Sequence, residues 1–151
     1  MVAILAYRHA SKVKKLDLLV EAGRARNELA SNFVTLVDLH GEALRSRKAV
    51  ASATGKLRGG AMQKWQTEWE GDKAFIQNHL TPYIPRKDTD YASLKADKLV
   101  AVIVELDHLN NSVVELLEKY GQWQDFDNNE RDQIREDVRT RYLTKESHTG
   151  G

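Results

Sequence analysis

The sequence predicts an all-α protein of about four helices, a bundle or elongated helical hairpin with coiled-coil-like packing. Three observations carry that expectation. The only prolines, Pro82 and Pro85, stand three residues apart, so long stretches on either side lack the residue that most reliably breaks a helix. In the first stretch Leu18, Ala22, Ala25, Leu29, Phe33, Leu36, His40 and Ala43 follow steps of three and four, which is one face of an α-helix. In the last, Leu99, Leu106, Val113 and Tyr120 recur every seven residues, the period of a helix–helix seam.

The first helix is expected from about Ala3 to Val50. Val20, Val34, Val37 and Leu44 widen its apolar face, so it should contact two neighbours, and Ala22, Gly23, Ala25 and Ala30 are small enough for a close approach. Unbroken, it would be roughly 70 Å long at 1.5 Å per residue, against a diameter of about 40 Å for a compact domain of this size. Either it bends near Gly23 or Gly41, or it projects as a coiled-coil arm. Gly55, Gly59 and Gly60 mark a turn. A second helix comes next, with Met62, Trp65, Trp69, Phe75, Ile76 and Leu80 as its apolar side, and it should stop by about Thr81 because the residue before a proline is pushed out of the helical region.

Residues 82–90 read as the main connection. Asp88, Thr89 and Asp90 are good N-caps for the third helix, and Gly121 is a good residue just past its end. Val102, Leu109 and Leu116 fill the intervening seam positions. A fourth helix is expected from about Asn129 to Leu143, opened by Asp127 and Glu130 in the spacing of a capping box, with Ile134, Val138 and Tyr142 as its narrow apolar stripe. The expected organisation is a single helical domain over 1–145 and a disordered tail over 146–151.

At 151 residues a chain buries about 70% of its unfolded surface, so a core forms without staples. Cysteine is absent, which excludes thiol catalysis, disulfides and cysteine-ligated zinc. No apolar run approaches the roughly 20 residues that cross a bilayer. The apolar start, Met1 to Tyr7, precedes Arg8, Lys12, Lys14 and Lys15; it reads as a sticky helix end, or as the stub of a membrane anchor with a juxtamembrane basic cluster. The net charge of +1 hides an asymmetry: residues 1–64 carry +7 and residues 65–151 carry −6. Opposite halves suit intramolecular packing of one on the other, and equally suit assembly.

Several motifs approach known chemistry without completing it. Asp125, Asp127, Asn129 and Glu136 have the spacing of a calcium loop, but Glu130 stands where the sharp turn needs glycine. Glu105 and His108 form half of a helical di-iron motif whose second half is missing. His40 sits on the apolar stripe, where a hydrogen-bonded core histidine is the ordinary reading. Gly55-Lys56 lacks the first glycine and the hydroxyl of a phosphate loop. No catalytic residue, cofactor or metal is expected, and no small-molecule substrate suggests itself.

The expected function is therefore a non-enzymatic helical protein-interaction or assembly module that associates with itself or with another helical chain. Leu29, Phe33, Leu36 and His40 on the first helix, with Trp65 and Trp69 on the second, are the expected partner-binding residues, since tryptophan is enriched at interface hot spots. One competing reading is a nucleic-acid accessory protein whose phosphate contacts are Arg45, Arg47, Lys48, Lys56, Arg58 and Lys64, a segment without a single acid. Another is the soluble part of a membrane-anchored accessory protein. The expected location is cytoplasmic, or for the anchored form the cytoplasmic face of a membrane.

Overall fold

The computed structural model describes residues 2–148. Among them there is no strand: the chain is all-α, with three α-helices, α1 (Val2–Ala53), α2 (Gly60–Phe75) and α3 (Ala96–His148). A π-helical turn over Ile76–Leu80 and a 3-10 turn over Thr81–Tyr83 continue directly from α2. Thr81 keeps a helical conformation before Pro82 (φ −51°, ψ −45°), so the helical path runs past the expected stop, although the regular α-helix itself ends at Phe75.

The expected fourth helix does not exist as a separate element. α3 passes through Gly121 and Asp127 without interruption, because the residues beyond Gly121 have their own packing partners and no proline forces an exit. A helix-ending glycine adopts a positive φ, and among the described residues the glycine that does so is Gly55, at φ +71°. There the sequence signal is realised: the Lys56 amide donates to the Ala51 carbonyl at 2.7 Å and the Gly55 amide to the Ser52 carbonyl at 3.2 Å, the paired bonds that close a helix C-terminus. The third helix also starts later than expected. Asp90 accepts a hydrogen bond from the Ala92 amide at 2.8 Å, so its carboxylate shapes a turn within the connection, and α3 opens only at Ala96. Of the tail expected over 146–151, residues 149–151 lie outside the described residues.

The chain gathers into two compact units. Unit 1 combines residues up to Val37 with Phe75–Leu117. Ala22, Leu99 and Ile103 form a core cluster there, with Leu18, Leu19, Tyr91 and Leu94 packed against it. Leu29, Leu36, Leu106 and Val113 are also buried, so the seven-residue seam is real on both helices. Polar contacts fix the layers: Asn32 donates to Asn110 at 2.9 Å, and Arg26 donates to the Thr89 carbonyl at 2.9 Å while lying over the Tyr91 ring. That arginine ties the irregular connection to α1. Burial pushes the Tyr91 hydroxyl above its ordinary pKa, partly offset by the nearby Arg26 charge.

The widened face of α1 behaves differently from expectation. Val20, Val34 and Val37 are exposed and only Leu44 is half-buried. Nothing in the described chain covers those three valines.

Unit 2 combines Asp38–Ala74 with residues from Glu118 on. The period continues inside it: Ala43 and Val50 are buried on α1, Tyr120 and Asp127 on α3. All three tryptophans, Trp65, Trp69 and Trp123, belong to this unit.

Candidate partner-binding surface

Unit 2 is organised by two clusters. In the first, the His40 ring stacks face to face on Trp69, with centroids 4.5 Å apart and planes 4° from parallel. It meets the edge of Tyr120 at 5.0 Å. The two side chains are also latched through the backbone: Trp69 Nε1 donates to the His40 carbonyl at 2.8 Å, and His40 Nε2 sits 3.1 Å from the Trp69 carbonyl. A carbonyl only accepts, so Nε2 carries the proton. The Tyr120 hydroxyl donates to Asp72 at 2.6 Å, and Lys119 donates to the same oxygen at 2.7 Å.

Desolvation lowers the His40 pKa from its ordinary 6.5, opposed by the hydrogen bond to Trp69 and by the Asp72 charge. Tyr120 moves strongly upward, first through desolvation and then through its bond to Asp72. Both rings are thus held in their neutral forms, which is the state their buried contacts need.

In the second cluster, Asp127 is 1% exposed. It accepts from the Arg47 guanidinium and, at 2.6 Å, from the Ser46 hydroxyl. Arg131 in turn donates to Ser46 at 2.7 Å. The Arg47 guanidinium lies 5.1 Å from the centroids of both Trp123 and Phe126, and Trp65 meets Trp123 edge to face at 5.9 Å. A buried carboxylate at a seam position survives because a cation and a hydroxyl compensate it. In the sequence Asp127 reads as a helix cap. Counting one more period on from Tyr120 places it in the core, but its polarity hides that position.

Of the residues expected to bind a partner, four are buried inside the two units and two are half-buried. Leu29 and Leu36 are fully buried and Phe33 half-buried in unit 1; His40 and Trp65 are buried and Trp69 half-buried in unit 2. A cavity of about 130 Å³ beside Tyr120, Trp123 and Arg131 is smaller than the roughly 300 Å³ from which small-molecule sites begin.

The basic segment is divided. Arg45 pairs with Glu42 on its own helix, and Arg47 is committed to Asp127. Lys48, Lys56, Arg58 and Lys64 are exposed. Lys56 lines a groove of about 370 Å³ at the α1–α2 turn, with Arg47, Met62 and Phe126.

The outer face of α1 in unit 1 remains open. Val13, Leu16, Val20, Val34 and Val37 are exposed, and Leu16 and Val20 stand one turn apart, as do Val34 and Val37. At about 100° per residue, Val20 points about 160° away from the buried Ala22, and Val34 about 160° away from Leu36. This is a second apolar face, opposite the first. Among the described residues no helix is long and apolar enough to cross a membrane. No family model matches the chain, and no curated protein or solved structure matches it either.

Proposed function

We propose that the protein is a non-enzymatic helical assembly module, which joins other helices, its own copies included, through the outer face of α1 in unit 1. The carrying observation is that α1 has two opposite apolar faces in this unit and the described chain covers only one. Single exposed apolar residues are ordinary, but two groups of them on one helix face, Val13 to Val20 and Val34 with Val37, support an interaction surface there. Burying it against another helix would gain about 25 cal/mol for each Å² of apolar area. The internal engagement of Trp65, Trp69 and His40 supports the same reading, since those residues build the scaffold and leave recognition to the outer face.

The test is sedimentation equilibrium at micromolar concentration, where we expect more than one chain per particle. A strictly monomeric particle that also fails to bind any helical partner chain offered to it would remove the proposal.

A further inference from the structure

The outer face of α1 carries enough pattern to name its occupant. We infer that it is the same face of a second copy, running parallel and in register as a two-stranded coiled coil over residues 13–37. This rests on the assembly reading above and adds the partner, its direction and its register.

Taking Val13, Val20, Asn27 and Val34 as a positions of a heptad repeat, Leu16, Gly23, Ala30 and Val37 fall at d. β-Branched residues at a with leucine at d, the combination found at Val13, Leu16 and Val20, favour two parallel strands, and a single asparagine at a specifies register and pairing. Asn27 is exposed and its Oδ1 accepts a long bond from the neighbouring Arg26 at 3.4 Å, so its amide NH2 is the group that faces a partner across an axis. In the parallel, in-register arrangement Asn27 meets its own copy, and each amide both donates and accepts. Antiparallel strands would set it against an apolar or small d residue and leave it unpaired, which is costly once buried.

The flanking charges agree. Lys12 falls at g and Asp17 at the e position five residues on; both are exposed, and in a parallel pair each lysine faces the other copy's Asp17. The next g residues, Leu19 and Arg26, are engaged within the chain, by the core cluster and by Thr89, so Lys12 with Asp17 is the pair that carries the charge argument. Val20 and Leu16, at 63% and 61% exposure, would be the central contacts. At Gly23 a Cβ would meet nothing within 4 Å, so the face is open there and lets two helix axes come close. The chain's own contacts with α1 in unit 1 centre on Ala22 and reach Leu19 and Arg26 at g, so they flank the pairing face on one side and leave the a positions Val13, Val20 and Val34 exposed.

The absence of cysteine gives a direct test. Val20→Cys places a thiol at an a position, where two parallel copies bring it against itself. Mild oxidation should convert most of this variant to a covalent dimer. Thr35→Cys, exposed at a b position, should form no covalent dimer under the same treatment. Val20→Glu with Val34→Glu should sediment as one chain while keeping its helical circular dichroism, because both positions are exposed within the chain.

A dimeric wild type whose Val20→Cys variant does not cross-link overturns the parallel register and leaves self-association standing. A monomeric wild type overturns this inference, and if it then binds a different helical chain through the same valines, the broader reading survives without it.

Discussion

At the scale of single residues, the decisive groups are the polar ones that unit 2 has buried. Asp127 and Arg47 are side chains 2% and 15% exposed, so removing one leaves the other charged and desolvated. Asp127→Ala should cost about 3–5 kcal/mol. Because every tryptophan lies in unit 2, urea unfolding followed by tryptophan fluorescence reads that loss there; an unchanged midpoint would mean the pair contributes nothing. His40 gives a pH dependence with a definite sign. Its folded pKa lies below the ordinary 6.5, so the unfolded chain binds the proton more readily. The stabilisation is complete above about pH 6.5 and is lost as pH falls from there through the lower folded value. His40→Gln should flatten that part of the curve below about pH 6.5, and identical slopes for variant and wild type would refute the assignment. Neither role is visible in the sequence beyond the general expectation that His40 is a hydrogen-bonded core residue. Trp69 lies 29 positions from His40, and only folding brings the two rings together.

At the scale of elements, the glycines separate true helix ends from false ones. Gly55 terminates α1 with a positive φ, so Gly55→Ala should destabilise by about 1 kcal/mol or more. Gly121 lies within α3, and a Cβ added there meets nothing within 4 Å. Gly121→Ala should therefore stabilise by about 1 kcal/mol, read as a higher thermal midpoint, whereas a helix-ending glycine would respond in the opposite direction. The two look alike in sequence because a glycine after an apolar run is an end signal only if the chain has somewhere else to go. At Gly55 the nearby Gly59 and Gly60 supply that turn. After Gly121, Trp123 and Asp127 stay on the same helix and find partners on α1 and α2, and tertiary contacts override local propensity. The start of α3 differs from expectation for a related reason, since Asp90 caps a turn in the connection and not the helix.

At the scale of the whole molecule, the charge asymmetry and the two-faced first helix both point toward assembly in the sequence, and they fare differently. One buried pair joins the basic and acidic halves, Arg47 with Asp127; the partly buried bridge of Lys119 with Asp72 lies within the acidic half. Most of the asymmetry is therefore left to the surface, where salt weakens it. The outer valines of α1 are the stronger signal, and raising ionic strength should leave the proposed dimer largely intact; dissociation at high salt would assign the contact to charge instead. The sequence by itself determined the helical class, the buried stripes of α1 and α3, the turn at Gly55 and the excess apolar width of α1, because periodicity and backbone geometry are local properties of the chain. Only the tertiary structure decided which face is covered, that α3 runs unbroken through Gly121, and that Leu29, Leu36, His40 and Trp65 are buried within the chain. Those outcomes depend on which distant side chains meet, and an apolar stripe reads the same whether its complement lies in the same chain or in another.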